Sequence, residues 1–121
     1  MTSALRSIDH IQLAMPRGEE ARARAFFVDQ LGMTEVEKPE PMRSRGGAWF
    51  SAGDVHVHVG VEDDFRPAKK AHPAFIVDDL DGLRARLTAS DTPVRDGENL
   101  GTRRRFFADD PFGNRIEFMT P

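Results

Sequence analysis

The chain has 121 residues, a length that suits one compact domain and is too short for two ordinary enzyme domains. It contains no cysteine, which excludes disulfide frameworks, thiolate nucleophiles and cysteine-type zinc sites, and no tyrosine, which excludes phenolic acid chemistry. A net charge of −3 with mixed signs excludes a nucleic-acid footprint, and no run approaches the roughly 20 apolar residues needed to span a bilayer, so a cytoplasmic protein without nucleic-acid or membrane partners is expected.

In chain order, Ile8 to Met15 alternates as a strand. Gly18 to Leu31 reads as a helix with Phe26, Phe27 and Leu31 on its apolar side and Gly32 as its stop. A short strand over 34–37 is followed by a hairpin of Gly46 to Ser51 and Asp54 to Val61 around Ala52-Gly53. The polar stretch 63–70 then serves as linker or lid. The second half repeats this order with a strand over His72 to Asp78 and a helix over Leu80 to Ala89 capped by Asp78 or Asp79. Strands follow at 93–95, 103–108 and 115–119, the last two joined through the Pro and Gly of Asp110-Pro111-Phe112-Gly113-Asn114. The expected organisation is a single domain of two βαβββ modules, about 6–62 and 71–120, joined by 63–70.

Side chains on a strand alternate between its faces. Ile11, Leu13 and Met15 oppose His10 and Gln12; the valines 55, 57, 59 and 61 oppose His56, His58 and Gly60. Phe75 and Val77 oppose His72 and Ala74, and Ile116 and Phe118 oppose Arg115, Glu117 and Met119. Helices need the apolar faces as their floor. His10, His58, His72 and Glu117 therefore share the other face, where a curved sheet brings them together as candidate ligands of a divalent metal: Zn, Ni, Fe or Mn. Glu117 is also the candidate proton acceptor, since a carboxylate that leaves the metal is a base. His56, nearer the Gly53 turn, is read as an ordinary polar residue.

Trp49, Phe50, Phe65 and Phe107 are candidate walls of a small-molecule pocket, with core packing as the bland alternative. In Arg103-Arg104-Arg105, either Arg104 alone or Arg103 and Arg105 together can enter the cup to clamp an anion, against the plainer role of a charged edge strand. Trp49, Phe65, Arg105 and Phe107 form the substrate-binding set.

Four segments resemble one family. Ile8-Asp9-His10-Ile11 is similar to its ligand-bearing first strand, and Phe26-Phe27-Val28-Asp29-Gln30-Leu31-Gly32-Met33 to its "FY…LGM" helix end. Ala71-His72-Pro73-Ala74-Phe75-Ile76-Val77-Asp78 resembles its second ligand strand, and Asp110-Pro111-Phe112-Gly113-Asn114-Arg115-Ile116-Glu117 its closing "DPxGNxxE" hairpin. The family is the vicinal-oxygen-chelate superfamily of glyoxalase I, fosfomycin-modifying transferases, extradiol dioxygenases and bleomycin-binding proteins. The resemblance implies an α+β fold, paired βαβββ modules forming a curved mixed sheet around a metal cup with helices outside, and a homodimer. Glyoxalase I relatives generally carry a carboxylate where His58 stands, so this chain departs from the two-His, two-Glu pattern. The expected activity is a metal-dependent lyase or isomerase of glyoxalase type, or a dioxygenase; the alternative is a resistance protein that sequesters a small molecule in the same cup.

Overall fold

The computed structural model describes residues 2–121. Strand β1 (Ile11–Met15) leads into α1 (Glu20–Arg24), which continues as a π-helical turn, Ala25–Gln30. In that wider turn Leu31 N–H donates to Phe26 C=O, and the adjacent rings of Phe26 and Phe27 both go into the core. β2 (Thr34–Val36), a short α2 (Glu40–Arg43) that the sequence pattern did not announce, β3 (Ala48–Ala52) and β4 (Val55–Val61) complete the first module. The second has β5 (Ala74–Ile76), α3 (Leu80–Ala89), β6 (Val94–Asp96), β7 (Arg105–Asp109) and β8 (Arg115–Met119). Asp79 caps α3 by accepting Gly82 N–H at 3.0 Å. No helix among the described residues is long and apolar enough to cross a membrane.

Each module carries a four-stranded mixed sheet, ordered β1-β4-β3-β2 and β5-β8-β7-β6, with β1 parallel to β4 and β5 parallel to β8. Among the described residues the two sheets do not pair with each other, so β1 and β5 each keep one free edge. β7 lies inside its sheet, which corrects the reading of the arginine run as an edge strand. Arg103 instead donates to Thr120 C=O, and Arg104 pairs with Asp81 at the surface.

A single core joins the modules. Leu13, Met15, Phe50, Val57 and Val59 from the first sheet meet Phe106, Ala108, Ile116 and Phe118 from the second, with Phe27 stacked on Phe50 at 5.1 Å between centroids. The predicted alternation holds along β1 and in the middle of β4, while Val55 at the hairpin tip is 41% exposed, and in β8 Glu117 and Met119, expected on the polar face, are buried along with Ile116 and Phe118. The turn before β8 fastens the modules together. The Asp110 carboxylate accepts N–H bonds from Phe112 and Asn114 backbones and from the Asn114 amide, all at 2.8–2.9 Å. Asn114 in turn donates to Ala14 C=O in β1 at 2.8 Å and accepts Ala68 N–H at 3.0 Å. Gly113, at φ +94°, makes this turn possible.

Candidate metal centre

Because the shared core takes one face of each sheet, the opposite faces of the two sheets are turned away from it. The four predicted ligands accordingly fall into two pairs, one per module. Among the described residues, no three His, Asp or Glu side chains of one chain stand together as a metal site. Within the chain the four stand as His10 stacked with His58 and His72 paired with Glu117.

In the second module Glu117 sits between neighbours Ala74 and Phe107 in the sheet register, nearly buried, with 7% of its side chain exposed. Its Oε1 lies 2.9 Å from His72 Nε2, and its Oε2 accepts Arg105 Nη1 at 3.2 Å. Burial opposes its charge, but the hydrogen bonds from His72 and Arg105, with the Arg105 charge, hold its carboxyl below the ordinary glutamate value. Arg105 is itself aimed by Nε donating to Glu98 C=O and by lying 5.2 Å over the Phe107 ring, which meets the His72 ring edge-on at 5.6 Å.

His72 Nδ1 is 2.8 Å from Lys70 C=O. A carbonyl only accepts, so Nδ1 carries the ring proton and a neutral His72 offers Glu117 a bare lone pair at Nε2. Two acceptors at 2.9 Å repel. Something positive must therefore accompany the pair: a second proton on the ring, or a metal ion bound by both atoms.

In the first module the rings of Trp49, His58 and His10 form a column. Trp49 and His58 are 3.7 Å apart and 1° from parallel; His58 and His10 are 4.0 Å apart at 17°. Desolvation of the sandwiched ring, with His10 beside it, lowers the His58 pKa, so His58 is a neutral spacer at pH 7. His10 Nδ1 lies 2.9 Å from Asp9 Oδ2, an acceptor that fixes the proton on Nδ1 and leaves Nε2 free. A hollow of about 400 Å³ opens beside the column, with Gln12, Lys38, Met42 and Arg45 around it. Gly60 leaves room for the Gln12 amide, which would lie 2.5 Å from a Cβ at that position.

His56 is exposed, as expected. Phe50 is wholly buried core, and Phe65 packs T-shaped against Phe112 beside that core. Sequence reasoning missed Asp9 and the Lys70 carbonyl as the groups that set the two tautomers. The adjacency Asp9-His10 was the only available signal for the first; the second depends on the chain's path through 70–72.

The donor set fits a divalent metal. Two imidazoles with Nδ1 held, His10 with Nε2 free and His72 with Nε2 against the Glu117 carboxylate, make a mixed nitrogen and oxygen set that would leave open coordination positions. A family model described as Glyoxalase/Bleomycin resistance protein/Dioxygenase superfamily matches residues 7–118. The chain belongs to this superfamily. A glyoxalase family protein from Bacillus anthracis of known structure is 46% identical, with a TM-score of 0.94 over 99% of this chain and 98% of that one. A glyoxalase/dioxygenase from Nostoc punctiforme (22% identity, TM-score 0.79, 99% and 97% covered) shares the fold. So does the fosfomycin resistance protein FosX from Listeria monocytogenes (15% identity, TM-score 0.78, 97% and 94% covered). No curated protein matches the sequence.

Proposed function

We propose that this superfamily member is a metal-dependent enzyme of glyoxalase type that acts on a small substrate with neighbouring oxygens. In this reading, its metal is held between two copies of the chain, by His10 of one and His72 and Glu117 of the other. The observation that carries the reading is the His72–Glu117 pair, two atoms 2.9 Å apart that need a ring proton or a metal ion to hold them together, the second of which is the reading taken here. The two-copy part is supported by the sheet edges: β1 and β5, which lead in from His10 and His72, each keep one edge unpaired among the described residues.

When bound, a divalent ion of the Zn, Ni, Fe or Mn kind supplies Lewis-acid polarisation of substrate oxygens. The chain's own residues do the rest. Glu117, the only carboxylate of the set, takes a substrate proton at a carboxylate oxygen, with Arg105 holding Oε2 so that this oxygen stays oriented. Trp49 and His58 keep the His10 ring from rotating and give the substrate a flat apolar wall. Gln12 offers an amide to a substrate oxygen beside them. Phe107 closes the opposite wall and screens Arg105 from water.

Equilibrium dialysis against Zn²⁺, Ni²⁺, Mn²⁺ and anaerobic Fe²⁺, followed by screening of the loaded protein against hemithioacetals and catechols, tests the proposal. Metal binding no tighter than in a His10→Ala/Glu117→Gln double variant contradicts it.

A further inference from the structure

The hollow beside the column of Trp49, His58 and His10 carries fixed charge of one sign. Two cations, Lys38 and Arg45, line it, and no Asp or Glu does. Three other hollows of similar size, 390–430 Å³, each have acids in their walls, Asp78, Asp109 and Glu37 among them. In a chain with 20 acidic and 17 basic residues, a wall that holds cations alone runs against the composition.

The acids close to this wall are engaged elsewhere. Glu37 pairs with Arg43 at 2.8 Å, and Glu20, near enough to feel the Lys38 charge, is committed to Gly47 N–H at 2.9 Å. Lys38 gives one of its three donors to Gly46 C=O and keeps two. Arg43 has its carboxylate partner, whereas no ion pair or hydrogen bond engages the Arg45 guanidinium among the described residues.

The wall is also held in place. The connection from β2 to β3, with α2 at its middle, is closed on itself by the Lys38–Gly46 bond and by Arg43 Nε donating to Lys38 C=O at 3.0 Å. A Cβ at Gly46 would lie 2.9 Å from the Val61 side chain, so this connection rests directly on the end of β4. Met42 and Trp49 add apolar surface to the same hollow. Cations fixed in a concave wall concentrate anions there, and a guanidinium fork matches the paired oxygens of a carboxylate or phosphonate.

We propose that this hollow binds the oxyanion head of an amphipathic small molecule, a carboxylate or a phosphonate, with Lys38 and Arg45 on the head and Met42 and Trp49 along its apolar stem. The inference deepens the proposed function by naming a class of substrate, and rests on it only in taking the bound anion to be that substrate. The hollow and its two cations need no metal.

Trp49 is the chain's only tryptophan, so its indole N–H resonance reports on the hollow directly. Chelator-treated protein is titrated with benzoate, phenylphosphonate and the neutral benzamide. The anions are expected to shift the resonance and saturate in the millimolar range. Benzamide is expected to bind about tenfold more weakly or worse, the scale of one lost hydrogen bond between charged groups. The tighter anion identifies the head group. Lys38→Gln/Arg45→Gln is expected to lose about tenfold or more in anion affinity at an unchanged thermal midpoint. Lys38→Arg/Arg45→Lys keeps the affinity, and so does Arg104→Gln, at the surface of the other module. If the double Gln variant does not fold, Arg45→Glu alone, at an exposed position, supplies the comparison. Benzamide binding as tightly as the anions, or anion affinity unchanged in the variants that remove charge, overturns the proposal. Anion binding in a protein that takes up no metal upholds the hollow and contradicts the metal reading; metal uptake without preference for the anions does the reverse.

Discussion

The Nε2 of His72 stands 2.9 Å from Oε1 of Glu117 while the Lys70 carbonyl holds the proton on its Nδ1. A pair arranged this way takes either a second ring proton or, in the proposed function, a metal ion, and a metal bound to the folded chain alone stabilises it. At about 100 times its dissociation constant, a metal adds about 2.7 kcal/mol of stability. Added Zn²⁺ or Ni²⁺ is therefore expected to raise the thermal midpoint, and chelator to reverse the gain. In Glu117→Gln the response is expected to vanish. An equal response in that variant places the metal elsewhere.

His58 holds a different rank. Its ring is neutral and filled on both faces, by Trp49 and by His10, so it orients His10 without needing to touch an ion. His58→Gln is expected to weaken metal binding by about 10-fold, the usual effect of losing a supporting group. Glu117→Gln, which removes the only carboxylate of the set, is expected to do more. Isothermal titration on both variants gives the order; loss of metal in His58→Gln with retention in Glu117→Gln reverses the roles assigned here.

Asn114 is a structural clamp. Its amide bridges β1 through Ala14, the linker through Ala68, and the buried Asp110. Asn114→Ala strands three partners, the buried Asp110 and the partly buried Ala14 C=O and Ala68 N–H, and a buried group left unpaired costs about 1–3 kcal/mol. A loss of about 3 kcal/mol or more is expected in urea unfolding. A loss under about 1 kcal/mol shows that water replaces the amide.

Glu20 links α1 to the segment before β3 by accepting Gly47 N–H at 2.9 Å, and that bond holds its carboxyl below the ordinary value of 4.5. Gly47 cannot carry a side chain, since a Cβ there would meet Val59 C=O at 2.1 Å. A folded-state pKa below the unfolded one means that the unfolded chain binds more protons in between, so the contribution is complete above 4.5 and fades as pH falls through the folded value. Glu20→Gln is expected to cost about 1 kcal/mol near neutrality. The gap from wild type is expected to narrow in acid; a gap constant with pH removes the charge from the account.

The strand and helix order was legible because hydrophobic period reports local structure directly: α3 and β8 lie where periodicity puts them, and Asp79 caps as its position implies. The faces were legible for the same reason. How the faces meet was not. Periodicity says that Val57 and Phe118 are buried, but not that they enter one common core and so turn His58 and Glu117 to different sides of the molecule. The π turn at Phe26-Phe27 and the inward position of β7 were hidden likewise, since both follow from contacts distant in sequence. Of the arginines 103 and 105, which share a face by alternation, the register Phe107 to Glu117 brings Arg105 to the carboxylate while Arg103 goes to Thr120, a difference that only the sheet pairing reveals.

A metal centre divided between two copies is tested most directly by mixing two variants that each lack one of its ligands. His10→Ala and Glu117→Gln chains are unfolded together, refolded, and assayed for tightly bound metal. If each centre takes His10 from one chain and Glu117 from the other, every mixed dimer has one intact centre and one doubly broken centre. Random pairing of symmetric dimers then restores about a quarter of the wild-type metal content, from none in either variant alone. A mixture that binds no more metal than the separate variants contradicts a shared centre.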